Sequence, residues 1–180
     1  MDYLWRYIFV GILVDIFAWG LTQTNTIVQV FITYLFYYSF HRFVLHVLDI
    51  NPHVYVHHFK YFQIPRSVEL CIDFVFEVIS FGGIPLAIQN LTGLWLVSPS
   101  VIILVVLTLS LSHLFNYSIL GSEIHKAHHL DMTKNFGPDF LDQLFGTNAA
   151  EYEDSFQHIP YLVQACIITH FAKAYFQWKD

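Results

Sequence analysis

The sequence predicts an all-α membrane protein of about four transmembrane helices with a histidine-rich metal site on its cytoplasmic side, and three observations carry that prediction. Of its 180 residues, 56% are hydrophobic and only 12% are charged, about half the charged share of an ordinary globular domain. From Val78 to Ser112 no Asp, Glu, Lys or Arg occurs. Eleven histidines stand beside eight Lys plus Arg, and most of them fall in three short sets. A chain of this length makes one domain, residues 1–180, too small to cover so much apolar surface with its own core. Lipid is the natural cover.

The stretch Tyr7 to Leu21 is apolar apart from Asp15, with Arg6 before it. A cleavable signal would need a small-residue site after the apolar run, and Trp19-Gly20-Leu21-Thr22-Gln23 is a poor one. A retained first membrane helix is expected. The second apolar run goes from Ile27 to about Leu48, with His41, Arg42 and His46 confined to its last turns. Those polar side chains belong at a membrane face. The uncharged run 78–112 would be about 50 Å long as one helix, too long for one crossing. Pro85, Asn90, Gly93 and Pro99 break it, which predicts a hairpin of helices over about 68–89 and 100–115. The tail from Ile159 to Trp178 carries Gln164, Thr169, His170 and Lys173. It is expected as an interfacial or cytoplasmic helix packed on the others rather than a fifth crossing. The link Glu151-Tyr152-Glu153-Asp154 before it reads as a solvated loop.

Charge tests this arrangement. The turns near 22–26 and 90–100 contain no Lys or Arg, while Arg6, Arg42, Lys60, Arg66, Lys126 and Lys134 all fall on the other side. By the positive-inside rule both termini are expected in the cytoplasm. The same assignment puts both histidine-rich regions, 41–58 and 113–129, on one membrane face. No Lys- or Arg-rich stripe exists, so nucleic acid is not an expected partner. Cys71 and Cys166 lie in apolar runs, far apart, and read as packed free thiols.

The histidine sets are His41 and His46 in HRFVLH, His53, His57 and His58 in HVYVHH, and His125, His128 and His129 in HKAHH, with His113 between the last two. On an α-helix, residues at i, i+3 and i+4 lie within about 100° of arc, so the third set forms one ligand face. In the second set His53 and His57 align, with His58 about 100° further round. The i, i+5 pair of the first set differs by about 140°, and it meets one centre only by straddling it or on an irregular helix. Single histidines such as His158 and His170 are most simply hydrogen-bonding groups. Eight in three sets on one face point to metal, and eight exceed what one zinc needs. Imidazole suits Fe, Cu, Ni and Zn alike.

The order H-x4-H, H-x3-HH, H-x2-HH, followed by NFGPDFLDQLFGT, resembles the fatty acid hydroxylase and sterol desaturase superfamily of membrane di-iron enzymes. HRFVLH is similar to the first box of its fatty acid 2-hydroxylase branch, and the matched region runs from about residue 36 to 147. The resemblance implies a bundle of about four membrane helices holding two irons. It implies His41, His46, His53, His57, His58, His125, His128 and His129 as ligands, with His113 as a ninth. Tyr117 stands where an H-x3-H would continue from His113. The implied activity is hydroxylation or desaturation of a lipid C–H bond with O2. Electrons would come from a separate donor such as a cytochrome b5-type or ferredoxin-type protein, at the endoplasmic reticulum membrane.

Glu69, Asp73 and Glu77 are spaced four apart and share one helix face. Asp73 and Glu77 either accept N–H from ligand imidazoles or pair with Arg66, Arg42 or Lys60 at the membrane edge. For Glu69 the ion pair is expected. Asp142 either supports a ligand histidine or caps a turn. Three rival readings stay open on the residues alone: a metal transporter or regulator, a haem-anchoring cytochrome, and a membrane zinc hydrolase.

Overall fold

The computed structural model describes residues 4–48, 52–58, 63–149 and 155–180. In chain order the α-helices are α1 (Leu4–Thr22), α2 (Ile27–Phe40), α3 (Arg66–Glu77), α4 (Ile84–Thr92), α5 (Pro99–Ser112), α6 (Glu123–Leu130), α7 (Asp139–Phe145) and α8 (Ile159–Phe176). Four π-helical turns interrupt or extend them, at His41–Leu45, His53–His58, Val78–Gly83 and His113–Ile119. No strand occurs among the described residues.

Helix α5 is the axis. From Pro99 to Ser112 every residue but Ile103 is buried, and α1, α2, α3 and α8 pack round it. Its residues are apolar or small on every side, as a helix enclosed by others requires. The surrounding helices are apolar outward too. On α1, Val10, Val14 and Ala18 face the core while Ile8, Ile12, Ile16 and Trp19 are exposed. Helix α3 is inverted relative to a water-facing helix: Glu69, Asp73 and Glu77 are buried and Val68, Ile72 and Val75 are exposed. Such an arrangement is stable only where the outer medium is apolar.

Three helices are long and apolar enough to cross a membrane: Trp5–Thr22, Arg66–Thr92 and Pro99–Ile119. The last two form the expected hairpin, with the π turn at Val78–Gly83 letting α3 run on into α4 despite Pro85. Gly93, at φ 70°, ends α4 in the left-handed conformation that a glycine adopts without strain. The expected second crossing is not among the three. The α-helical part of α2 has 14 residues, about 21 Å, before His41 opens a π turn.

The tail packs on the other helices and is not among the three long and apolar enough to cross a membrane. Helix α8 runs antiparallel to α5 along its whole length. At one end His158 Nδ1 meets Ser112 Oγ at 2.8 Å. At the other, Trp178 Nε1 donates to Ser100 Oγ at 3.1 Å and Ser100 N donates to Asp180 Oδ1 at 3.1 Å. Of its four polar residues, Thr169 and Lys173 turn inward, while Gln164 and His170 are exposed. Thr169 Oγ1 donates to Ala165 O at 2.7 Å, and Lys173 Nζ donates to Leu21 O at 2.6 Å and pairs with Asp180. Asp180 therefore lies at the end of the bundle away from the histidines, whereas the start of α1 lies near them, with Tyr7 OH donating to Asp139 Oδ2 at 2.9 Å. The start of α1 and the end of the chain thus lie at opposite ends of the bundle. Lys60 and the acidic link 151–154 lie outside the described residues. In sealed vesicles, tags at the two termini are expected to be cleaved from opposite sides by an added protease. Cleavage of both from one side would show that α8 does not traverse the membrane.

Candidate metal centre

Nine histidines converge at one end of the bundle, and local backbone geometry decides how. A π turn closes hydrogen bonds between residues five apart, so i and i+5 come onto one face. At HRFVLH, His46 N donates to His41 O at 3.2 Å, and the two Nε2 atoms lie 3.1 Å apart. At HVYVHH the π turn likewise aligns His53 with His58, whose Nε2 atoms are 3.1 Å apart. The α-helical expectation that His53 pairs with His57 is replaced: His57 points to a second focus. On α6 the α geometry holds, and His125 and His129 Nε2 lie 2.9 Å apart. His128 swings away from both, its ring centroid 6.1 Å from each.

The result is two adjoining poles. The first gathers His41, His46, His53, His58 and His128. His41 Nε2 is 3.0 Å from His53 Nε2, and His53 Nε2 is 3.3 Å from His46 Nε2. His58 and His128 ring centroids lie 4.9 Å apart. The second pole gathers His57, His113, His125 and His129: His129 Nε2 is 2.9 Å from His57 Nε2, and His113 Nε2 is 3.4 Å from His125 Nε2. The poles touch where the His58 and His129 rings stand 4.6 Å apart.

What lies behind four of the rings fixes which of their nitrogens faces inward. His41 Nδ1–H donates to Phe136 O at 2.6 Å, and His128 Nδ1–H donates to Lys134 O at 2.5 Å. His57 Nδ1 meets Asp73 Oδ2 at 2.8 Å. His113 Nδ1 pairs with Glu77 Oε1. A neutral ring whose Nδ1 donates presents only a lone pair at Nε2. The Nε2 atom of His128 is buried without a hydrogen-bond partner. Burial holds His53 and His57 well below the ordinary imidazole range, and neighbouring imidazoles add to this. Burial and then His46 bring His128 down to about 3. Near neutral pH these are uncharged donors.

Three groups meet the geometry of a metal site, the donor atoms of each within 4.8 Å of one another: His41, His46, His53 and His128; His57, His125 and His129; and His57, Asp73 and His113, which shares His57 with the second. Nitrogens about 2.1 Å from one ion sit roughly 3.0 Å apart at right angles and roughly 3.4 Å apart in a tetrahedron. The separations here fall in that range. The donors are soft-to-borderline nitrogens with no thiol among them; Cys71 is exposed and Cys166 sits on α8. The residues fit a pair of divalent transition-metal ions.

Asp142 touches no histidine. Burial pushes its carboxyl up to about 6, against three donors: Phe136 N at 2.9 Å, Gly137 N at 2.7 Å and Thr147 Oγ1 at 2.7 Å. Gly146, at φ 68°, turns the chain back after α7 so that Thr147 O can accept from Asn135 N at 2.8 Å. Tyr38 OH then meets Thr147 Oγ1 at 2.8 Å. The segment NFGPDFLDQLFGT is thus a closed loop clamp. It presents the Phe136 carbonyl to His41, with the Lys134 carbonyl that receives His128 just before it. Glu69 pairs with Arg66.

Sequence reasoning missed the two carbonyls, which carry no side-chain signal. It also set His158 aside, and this residue lines the cavity beside His113 and His125. Tyr117 stacks on His125 with centroids 5.4 Å apart; its position where a further histidine would fall was the available clue. His170 packs on Phe171, away from the site.

Replacing Asp73 by Asn removes the charge that polarises His57 and is expected to weaken metal binding at the second pole about 10–100-fold. Metal titration of Asp73→Asn against the parent protein checks this, and an unchanged affinity would show that the carboxylate only fills space.

Comparison with family models, with curated proteins and with solved structures finds no match for this chain, so the geometry of the site itself bears on its function.

Proposed function

We propose that the protein is a membrane di-iron oxygenase that hydroxylates or desaturates a lipid C–H bond. It would use O2 and electrons from a separate donor of cytochrome b5 or ferredoxin type. The observation that carries this reading is the packing of nine imidazoles into two adjoining poles, with Nε2 atoms as close as 2.9 Å. Five rings at one pole exceed the four ligands that satisfy a structural zinc, and two ferrous ions side by side would together supply two electrons to O2. The resemblance of the boxes and the LFGT ending to the fatty acid hydroxylase and sterol desaturase superfamily supports the same choice.

Bound there, two ferrous ions would supply the electrons and the Lewis acidity that let O2 attack an unactivated C–H bond. The balance is R–H plus O2, two electrons and two protons, giving R–OH and water. Loss of a second hydrogen gives an alkene and two waters instead. The chain's own residues set the conditions. Asp73 and Glu77 hold the His57 and His113 tautomers, and the carbonyls of Lys134 and Phe136 do the same for His128 and His41. A tight cavity beside the imidazoles is bordered by Tyr37, Leu109 and Phe136, apolar side chains against which a carbon chain would pack. In this reading the protein is multi-pass, sits in the endoplasmic reticulum membrane, and turns its histidine end to the cytoplasm, where the electron donor docks.

A membrane zinc hydrolase is the competing reading, favoured by the His57, His125 and His129 trio, since catalytic zinc takes three protein ligands and an open position. One experiment separates the two. Protein purified in detergent is analysed for metal, and lipids from expressing cells grown under 18O2 are profiled. The expected result is iron at about two per chain and a new lipid that carries the label or one more double bond, both abolished in His53→Ala and His129→Ala. Zinc as the bound metal, with no oxygen-dependent lipid change, would overturn the proposal.

A further inference from the structure

Three cavities stand in line between the outer surface of the bundle and the histidines. The outermost, about 850 Å³, is a groove between α1 and α2, flanked by the exposed side chains of Ile8, Ile12 and Phe31. Its wall is apolar. Of its three side chains with polar groups, Asp15, Tyr7 and Tyr34, two are engaged, Asp15 Oδ1 by Thr26 Oγ1 at 2.6 Å and Tyr7 OH by Asp139 Oδ2 at 2.9 Å. A narrow middle cavity shares Tyr7, Gly11, Tyr34 and Phe140 with this groove. It shares Leu109, Pro138, Asp139 and His158 with the inner cavity at the imidazoles. The shared lining residues set the three side by side, a passage in which the inner two are tight.

The passage narrows where Tyr34 and Phe140 meet edge to face, ring centroids 5.6 Å apart. Opposite them, Gly11 leaves open space: a Cβ built there meets no atom within 4 Å. A glycine in the middle of a membrane helix costs helix propensity, and close packing against another helix does not explain this one. It faces the passage.

The geometry points to an access channel between α1 and α2 that admits the unbranched alkyl chain of a bilayer lipid or fatty acid past Gly11 and Phe140 to the imidazoles. Ligand sites of this kind are concave and apolar, with the few polar groups gathered at one end. Here the polar end is the inner one, where Asp139, His158 and the metal-facing imidazoles stand. The inference deepens the proposed oxygenase reading, since the channel is the route by which its substrate would arrive.

Photolabelling tests it without turnover. The purified full chain is placed in phosphatidylcholine vesicles carrying diazirine-tagged palmitic acid, phosphatidylcholine with a diazirine-tagged acyl chain, or photoreactive cholesterol. Crosslinks are mapped by mass spectrometry. One or both alkyl probes are expected to label Tyr34 and Phe140, and the arm that labels tells a free acid from a lipid-borne chain. Gly11→Phe should fill the neck and reduce that labelling to background, Gly11→Ala should largely keep it, and Ile16→Phe, on the other face of α1, should leave it intact. Metal content and melting temperature, read on every variant, are expected to stay at parental values. Undiminished labelling of Phe140 in Gly11→Phe, labelling confined to outward residues such as Ile8 and Phe31, or capture of cholesterol in place of the alkyl probes would overturn the channel. The two proposals fail separately. A protein that labels as described but oxidises no lipid keeps the channel and loses the oxygenase reading. An oxygenase unimpaired by Gly11→Phe does the reverse.

Discussion

Imidazole lone pairs held within about 3 Å of one another set the terms for the rest of this structure. A neutral imidazole has one N–H, and four of the nine rings direct Nδ1 at a carbonyl or carboxylate behind them. Their Nε2 lone pairs then point into the poles. There the Nε2 atoms of His46, His53, His125 and His129 crowd within 3.4 Å of those of His41, His57 or His113, and any lone pairs left facing one another repel unless a cation lies between them. Protonation would relieve one contact by placing a charge in a buried site, and burial opposes this. A divalent ion at each pole converts the repulsion into coordination. On the proposed reading, metal binding is therefore coupled to the stability of this end of the bundle.

Everything behind the rings serves to aim them. Helix α3 turns its acids inward and its aliphatic side chains outward, the reverse of a helix in water. Buried carboxylates at this depth are costly unless partnered, and here His57 and His113 partner Asp73 and Glu77 while Arg66 partners Glu69. The loop from Asn135 to Thr147 does the corresponding work for the first pole through carbonyls. Asp142 gathers two backbone N–H groups and one hydroxyl of that loop, and losing such a buried hub leaves several donors unpaired at about 1–3 kcal/mol each.

Much of the helical order was legible because it rests on composition and on Pro and Gly placement. The first helix, the break near Gly93 and Pro99, and the gathering of both histidine-rich regions at one end all follow from apolar runs and charges. The pairing within each histidine set was not legible. It depends on π turns, and a π turn has no local propensity signature: it persists where tertiary contacts favour i, i+5 alignment, as at His41 with His46 and His53 with His58. In the tail, the place of individual polar residues was not legible for a different reason. Thr169 and Lys173 look like surface residues in sequence, yet each finds a backbone carbonyl inside the bundle. Polar residues in an apolar helix report that a partner exists, not on which side of the helix it lies. Asp142 joins the loop rather than a ring because both outcomes suit a buried acid near the last box, and only the chain path separates them.

The central claim is that two ions lie side by side, each held by Nε2 atoms of one pole. Anomalous X-ray diffraction from crystals of the metal-loaded protein, recorded above and below the iron edge, tests it most directly. The account predicts two resolved peaks, one among His41, His46, His53, His58 and His128 and the other among His57, His113, His125 and His129. A single peak, or peaks remote from either group, would contradict it.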